Sequence, residues 1–319
     1  MQRRRLGSGG PEVAPIVLGG NVYGWTLDEA GAFRQFERAL ASGFNCIDTA
    51  DIYTTWVPGH SGGESETIIG NWIAKTRRRN ELFIATKVGS AMGEGKSGLG
   101  ARYIAQAAED SLRRLKTDYI DLYQTHIDDR DTPLEETLEA FNRLVKAGKV
   151  RYIGASNYDG ARLAEAMEIS RGSSLTGFIS LQRKYNLLER QQFETELLPV
   201  VEQYQVGVIP YYSLGAGFLT GKYRRSDPTP EGARAKTVEK YRNERGWRIV
   251  EELSAVAADH HSKPGVVALA WLLNQSGVTA PIASATSDSQ LEELFAAVEL
   301  KLDTDSMQRL NRISAPQAM

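Results

Sequence analysis

The chain alternates short apolar segments with amphipathic ones, and this alternation most limits how it can fold. Eight apolar runs rich in β-branched or aromatic residues are predicted as strands. These are residues 15–20, 45–50, 82–88, 120–126, 150–157, 178–186, 207–213 and 280–284. Helical periodicity lies between them, over residues 29–41, 65–75, 101–115, 134–146 and 194–203. Eight such units favour a closed barrel over an open sheet, so the chain is predicted to be an α/β protein with a (β/α)8 TIM barrel.

Two segments fall outside the regular repeat. Residues 3–13, which contain a Gly-Gly-Pro turn, are predicted to form an N-terminal hairpin that closes the bottom of the barrel. The long, polar and basic stretch after the seventh strand must hold an extended loop and extra helices, and we expect it to cover a ligand. No linker divides the remainder, so residues 1–319 are expected to form a single domain.

Charge and cysteine content exclude several classes of function. The 38 lysines and arginines nearly balance 40 acidic residues, so no overall field attracts nucleic acid or a membrane surface. Cys46 is the only cysteine, which excludes a disulfide framework within the chain. No run approaches 18 apolar residues and no signal peptide is recognised, so a reducing cytoplasm is expected. The four histidines lack ligand spacing, and no metal is predicted.

Polar residues end three successive apolar strands, where a barrel of this kind places its active site. Asp48 ends the second strand, Lys87 the third and His126 the fourth, and Tyr53 follows Asp48 by five residues. Each has an ordinary structural explanation when taken alone, as a cap, a strand end, a core histidine or a packed loop residue. Their coincidence at neighbouring strand ends predicts a single site.

The chemistry of these four side chains, called the tetrad below, is coherent. A tyrosine is a poor acid at neutral pH, and an ammonium beside it is expected to lower its pKa by about 1 to 3 units. Lys87 is predicted to do this for Tyr53, the general acid and base. Asp48 would keep Lys87 charged, and His126 would orient a carbonyl oxygen.

The motifs around the tetrad resemble those of the aldo-keto reductase superfamily, in particular bacterial-type NADP(H)-dependent aldo/keto reductases. The similar segments are residues 47–53, 63–66, 86–89, 118–126, 154–157, 182 with 185–186, and 217–222. They occur in the family order and cover essentially the whole chain. The resemblance implies the same tetrad, with Tyr53 as acid and base, and hydride transfer between a nicotinamide cofactor and an aldehyde, a ketone or the matching alcohol.

The resemblance also implies a set of cofactor contacts. Ser156, Asn157 and Gln182 match residues that hydrogen-bond the nicotinamide carboxamide, and Tyr211 matches the aromatic residue that stacks on the nicotinamide ring. The segment that contacts the pyrophosphate corresponds to Ser213, Leu214, Gly217, Leu219, Thr220 and Lys222. The adenosine end corresponds to Ser284, Thr286, Gln290 and Glu293.

The adenosine end departs from the family pattern. Ser284, Thr286 and Gln290 are neutral where the family usually places a lysine or arginine against the 2′-phosphate. Hydroxyl groups and a helix start near Gln290 still suit a phosphate, and the cations of the long loop are further candidates. Those cations are Arg224, Arg225, Arg234 and Lys236. NADP(H) is therefore predicted, with NAD(H) as the alternative.

Tyr23, Trp25 and Trp56 follow the first two strands and are predicted to line the pocket of a small-molecule carbonyl or alcohol substrate. Two other functions are compatible with the same residues. A lysine at a strand end is also how Schiff-base aldolases trap carbonyl substrates, which makes Lys87 a candidate nucleophile. Potassium-channel β subunits resemble the same superfamily and act as regulatory partners, and the short segment before Arg3 disfavours that function.

Overall fold

A computed structural model describes residues 1–228 and 235–316. Its strands are β1 (Arg4–Arg5), β2 (Glu12–Val13), β3 (Val17–Gly19), β4 (Cys46–Asp48), β5 (Phe83–Val88), β6 (Ile120–Thr125), β7 (Val150–Ser156), β8 (Ser180–Gln182), β9 (Gly207–Val208) and β10 (Ile282–Ala283). Strands β3 to β9 pair in parallel in chain order, and β10 pairs with β3. Hydrogen bonds from Thr279 N to Val208 O and from Ile282 N to Pro210 O, both 2.8 Å, close the remaining seam. The predicted barrel is confirmed.

Helices surround this sheet. They are α1 (Glu29–Ala41), α2 (Glu64–Thr76), α3 (Ala101–Leu115), α4 (Leu134–Lys146), α5 (Gly160–Gly172), α6 (Leu198–Tyr204), α7 (Ala235–Glu239), α8 (Glu244–Asp259), α9 (Pro264–Leu273), α10 (Asp288–Glu299) and α11 (Thr304–Ile313). The bounds predicted for α1, α3 and α4 agree with the structure. The segment predicted as one helix over 194–203 is instead a π-helical turn, Phe193–Leu197, followed by α6. Within the described ranges, no helix is long and apolar enough to cross a bilayer.

The strands are buried on both faces. Every residue of β3, β4, β6 and β8 is buried, because side chains of one face fill the barrel and those of the other pack under the helices. This is why the strands read as continuous apolar runs in the sequence. A polar residue within such a strand therefore needs a specific partner.

The two segments outside the repeat close opposite ends of the barrel. The hairpin of β1 and β2 lies against the amino-terminal ends of β8 and β9, where Ser8 N donates to Gln205 O at 2.7 Å. After β9 the chain forms a 3-10 turn, Gly215–Thr220, and then α7, α8 and α9 before it returns to β10. Both the hairpin and the long insertion after the seventh barrel strand agree with the prediction.

The close packing of α2 on α3 gives a stability test at Gly70. A Cβ at this position would overlap the carbonyl oxygen of Arg114, so Gly70→Ala should lower the free energy of unfolding by about 1–3 kcal/mol. Gly172 ends α5 in open space, and Gly172→Ala is the control, with a change of about 1 kcal/mol or less. Urea unfolding of both variants measures the difference. Equal effects would contradict the packing described.

Candidate active site

The ammonium of Lys87 is the centre of the tetrad. Its Nζ donates to Asp48 Oδ2 at 2.6 Å, to the carbonyl oxygen of Thr49 at 2.8 Å and to Tyr53 Oη at 2.8 Å. Three donors therefore meet three acceptors, and the side chain is completely buried. Tyr53 Oη in turn donates to Asp48 Oδ2 at 3.2 Å. The Tyr53 and His126 rings lie 6.0 Å apart.

Strand register explains why these residues meet. Asp48 is the last residue of β4, and Lys87 lies near the end of β5, whose Ala85 pairs with Asp48. His126 follows β6 directly, and its backbone N–H donates to Val88 O at 2.7 Å. Neighbouring parallel strands end at the same rim, so side chains far apart in the sequence converge there.

Burial dominates the electrostatics of the tetrad. It lowers the pKa of Lys87, an effect opposed by the carboxylate of Asp48. The pKa of Tyr53 is raised well above its ordinary value by burial and by the adjacent Asp48 carboxylate. The prediction that Lys87 lowers the pKa of Tyr53 below its ordinary value is therefore wrong. Tyr53 holds its proton throughout the neutral range.

His126 is a neutral imidazole. Burial and the nearby charge of Lys87 lower its pKa to about 3. Its Nδ1 is buried and finds no hydrogen-bond partner in the described part of the chain, while the ring lies on the wall of the cavity described next. A neutral ring in this place can donate a hydrogen bond without adding charge.

A cavity of about 800 Å³ extends from the tetrad across the carboxyl-terminal rim of the barrel. Asp48, Tyr53 and His126 line it, and Lys87 lies beneath. Of the residues predicted to contact cofactor, it brings together Ser156, Asn157, Gln182, Tyr211, Ser213, Leu214, Gly217, Thr220, Lys222, Ser284, Gln290 and Glu293. Its size lies within the range of cofactor sites.

The predicted carboxamide contacts form a network with the tetrad. Asn157 has a left-handed backbone, with φ of 64°, and its Nδ2 donates to the carbonyl oxygen of His126 at 2.9 Å. The Tyr211 hydroxyl donates to Asn157 Oδ1 at 2.8 Å. Gln182 Nε2 donates to Asp48 Oδ1 at 2.8 Å. The residues expected at the nicotinamide thus also position one another.

Gln124 is a site residue that sequence analysis missed. Its Nε2 donates to Asp48 Oδ1 at 3.3 Å, beside the bond from Gln182. Asp48 therefore receives amide donors on one carboxylate oxygen and the tetrad donors on the other. The glutamine precedes His126 by two residues in β6, so the side-chain alternation of that strand was the available signal.

The far end of the cavity differs in part from the prediction. Leu219 is fully buried in the core and Thr286 bonds to the side chain of Gln290, and neither lines the cavity. Lys263, which immediately precedes α9, does line it, and its Nζ lies 2.7 Å from Glu293 Oε1. No local sequence pattern indicated Lys263, because its contact with Glu293 of α10 brings it to this end.

The loop cations lie elsewhere. Arg225 pairs with Glu244 and Glu251 at the surface, and neither Arg224 nor Lys236 lines the cavity. Arg234 falls outside the described residues. Among the described cations, Lys222 and Lys263 are the lysines on the cavity wall.

Aromatic rings form the wall beside Tyr53. Trp25 and Trp56, which were predicted to line a substrate pocket, both lie on the cavity wall. Their rings make an edge-to-face pair with centroids 5.7 Å apart. Trp56 is 47% exposed. Tyr23 was predicted to join them, but it is completely buried and donates to Gln35 Oε1 at 2.7 Å. Its ring packs on Phe36 in the core, so the substrate-pocket prediction for Tyr23 is wrong.

Comparison with known proteins agrees with this geometry. A sequence model described as the aldo/keto reductase family matches residues 15–315. The chain belongs to the aldo/keto reductase family. As a family member it is an oxidoreductase of the nicotinamide-dependent type.

Sequence similarity between this aldo/keto reductase and known proteins extends over almost its entire length. It is 37% identical to the uncharacterized oxidoreductase YrpG of Bacillus subtilis, over 98% of this chain and 96% of that protein. It is 31% identical to the aldo-keto reductase yakc [NADP(+)] of Schizosaccharomyces pombe, over 91% and 84%. It is also 30% identical to a probable voltage-gated potassium channel subunit beta of Arabidopsis thaliana, over 94% and 92%.

Asp51, three residues after Asp48, is another buried carboxyl group of this reductase. Its Oδ1 accepts the backbone N–H of Ile52 at 2.7 Å, whereas Oδ2 is buried and has no partner in the described ranges. Burial and the negative charge of Glu66 raise the pKa of Asp51 to about 7. Folding therefore favours the protonated form, and stability falls as the pH rises from about 4 through 7.

Asp51→Asn should remove this pH dependence. Between pH 5 and pH 8 the unmutated protein should lose about 3 kcal/mol more free energy of unfolding than Asp51→Asn does. The reason is that its folded form must give up the proton of a buried carboxyl group over this range, and the variant has no such proton. Urea unfolding at the two pH values measures it. Asp118→Asn, at an exposed position, is the control and should follow the native protein. Parallel pH profiles for native and Asp51→Asn would contradict the assignment.

Proposed function

We propose that the chain is an NADP(H)-dependent carbonyl reductase, formed by residues 1–319 as one catalytic domain, in which Tyr53 exchanges a proton with the substrate oxygen. One observation carries the proposal. The Tyr53 hydroxyl lies on the cavity wall while it is hydrogen-bonded to a completely buried ammonium and a buried carboxylate. Such an arrangement suits a proton donor in a site sheltered from water.

The cavity suits a nicotinamide dinucleotide along its whole length. Amide side chains lie near the tetrad, the Gly215–Thr220 turn offers close backbone approach through Gly217, and cations lie at the other end. A bound nicotinamide would supply or accept the hydride. Ser156, Asn157 and Gln182 would hold its carboxamide, and Tyr211 would support the ring.

The chain's own residues manage the proton. Tyr53 is protonated at neutral pH, since the ordinary tyrosine pKa is about 10 and burial raises it further, and it would donate to the oxygen of a carbonyl as negative charge develops there. His126, neutral at the same pH, would orient that oxygen by a hydrogen bond. Lys87 would stabilise the phenolate that remains, through the bond that already joins Nζ to Tyr53 Oη. The same groups serve the reverse reaction, in which the Tyr53 phenolate would take back the proton of an alcohol.

The aromatic wall favours an apolar or aromatic carbonyl substrate. Trp25 and Trp56 pack edge to face beside Tyr53, and Tyr212, 42% exposed, also lines the cavity. Flat aromatic faces bind apolar groups with little loss of side-chain entropy. We expect aromatic aldehydes to be better substrates than short aliphatic ones.

The alternatives use the same residues in other ways. A Schiff-base aldolase needs a lysine that substrate can reach, whereas Lys87 is completely buried and all three of its protons are bonded. A regulatory subunit would share the dinucleotide cavity and differ in having little turnover. Turnover, nucleotide binding and borohydride trapping separate these functions.

Tyr53→Phe should reduce kcat for NADPH-dependent reduction of an aromatic aldehyde by about 10²–10⁴-fold, because the proton donor is removed. NADPH binding, followed by nucleotide fluorescence, should remain. Tyr23→Phe is the matched control, since its hydroxyl bonds to Gln35 away from the cavity. Nucleotide binding without turnover in the native protein would favour a regulatory partner, and borohydride trapping of substrate on Lys87 would favour the aldolase.

Lys263 is the proposed contact for the 2′-phosphate. Lys263→Met should weaken NADPH binding by about tenfold and leave NADH binding nearly unchanged, because only NADPH carries the extra phosphate. Lys236→Met, from the loop cations outside the cavity wall, should alter neither. Fluorescence titration of the native protein and both variants with each nucleotide gives six dissociation constants. Equal loss for NADPH and NADH would contradict the assignment of Lys263.

A further inference from the structure

A second cavity of about 720 Å³ lies beside the cofactor cavity, and Tyr211 is a wall of both. Arg183 and Lys184, which directly follow β8, line it together with Arg190 and Arg245. It therefore opens at the carboxyl-terminal rim, next to the residues expected at the nicotinamide. None of the roles assigned above uses these four cations.

Two of the four cations lack an acidic partner. Arg183 donates to the carbonyl oxygen of Asn157 at 3.0 Å and to Gln192 Oε1 at 2.8 Å. Arg245 donates to the carbonyl oxygens of Leu188 and Ser314, both at 2.9 Å. Within residues 1–228 and 235–316, neither guanidinium has a carboxylate within 4.0 Å. Burial and the charge of Arg190 also lower the pKa of Arg245.

The acidic residues of the cavity are bound to other groups. Glu189 lies 2.5 Å from the ammonium of Lys240 and 3.9 Å from that of Lys184, so it is already bound by a lysine outside the lining. Glu196 accepts a long bond of 3.4 Å from Gln192. Arg190 pairs with Glu194, whose Oε1 lies 2.7 Å from Arg190 Nε. Glu189 acts on Arg245 only at longer range, so neither Arg183 nor Arg245 has a carboxylate in direct contact within the described ranges.

The backbone of one wall is irregular. The π-helical turn Phe193–Leu197 precedes α6. Thr195 and Glu196 within this turn, and Gln192 immediately before it, line the cavity. Such turns occur frequently at functional sites. Gln192 binds Arg183 through its side-chain oxygen, which fixes the guanidinium on this wall.

We propose that this cavity binds a small molecule through an oxyanion group, a carboxylate or a phosphate, held by Arg183 and Arg245. Guanidinium groups bind both kinds of oxyanion through paired hydrogen bonds. The site is separate from the dinucleotide cavity but coupled to it. Arg183 bonds to the carbonyl oxygen of Asn157, whose side chain accepts the Tyr211 hydroxyl, so an anion on Arg183 acts on two residues expected at the nicotinamide.

Calorimetric titration at low ionic strength tests the proposal, with inorganic phosphate and succinate as separate probes. The full chain is first saturated with NADPH so that the dinucleotide cavity is filled. At least one probe should bind. The anion with the higher affinity shows whether the cavity prefers a phosphate or a carboxylate. Arg183→Gln and Arg245→Gln should each weaken this binding by about tenfold or more, the loss of a charge-assisted hydrogen bond. Arg248→Gln, exposed on α8 outside the cavity lining, is the control and should bind as the native protein does.

Two results would overturn the proposal: no uptake of either anion by the NADPH-saturated protein, or equal affinity in the native protein and in both variants. Arg245 also bonds to two carbonyl oxygens, so thermal unfolding of each variant is measured, and Arg183→Gln, which leaves those bonds intact, decides the question if Arg245→Gln does not fold. If NADPH itself does not bind, the same titrations without nucleotide still decide the question, because Arg245 is outside the dinucleotide cavity.

Discussion

The buried ion pair between Lys87 and Asp48 determines the arrangement of the whole site. A fully buried ammonium is costly unless every proton has an acceptor, and here a carboxylate, a backbone carbonyl and a phenol provide them. The hydrogen bond from Lys87 to Tyr53 thus satisfies a buried proton of the ammonium and also places the ammonium beside the phenol that is proposed to transfer a proton. The carboxylate in turn needs Gln124 and Gln182 on its other oxygen. Four barrel strands are joined in this way around one charge.

The barrel and the tetrad were predictable because the relevant signals are local. Strands buried on both faces read as apolar runs, and a charged residue that ends such a run, as Asp48 does, stands out at once. Parallel strands then place their carboxyl ends at one rim, so the meeting of Asp48, Lys87 and His126 follows from topology. The hairpin before β3 was equally visible from its Gly-Gly-Pro turn.

Features that depend on distant contacts were not predictable. Tyr23 resembles a loop aromatic in sequence, yet Gln35 offers its hydroxyl a partner inside the core. Lys263 reaches the cavity because α9 packs beside α10, which no local pattern encodes. The direction of the Tyr53 pKa shift depends on burial and on Asp48 accepting its proton, and the residue types alone suggested the opposite. The sequence thus predicts which side chains come together better than it predicts how deeply they are buried, and burial sets the direction of the pKa shift.

The π-helical turn before α6 suggests how such a fold can diversify. A π turn holds one residue more than an α turn, so deleting a single residue from Phe193–Leu197 would restore a regular helix. The residues before the deletion would rotate by about 100° relative to α6, carrying Gln192 away from Arg183. The wall of the second cavity could therefore be gained or lost in one evolutionary step while the barrel and its tetrad stay intact. Insertions and deletions at this turn, rather than substitutions, would distinguish descendants that keep the cavity from those that do not.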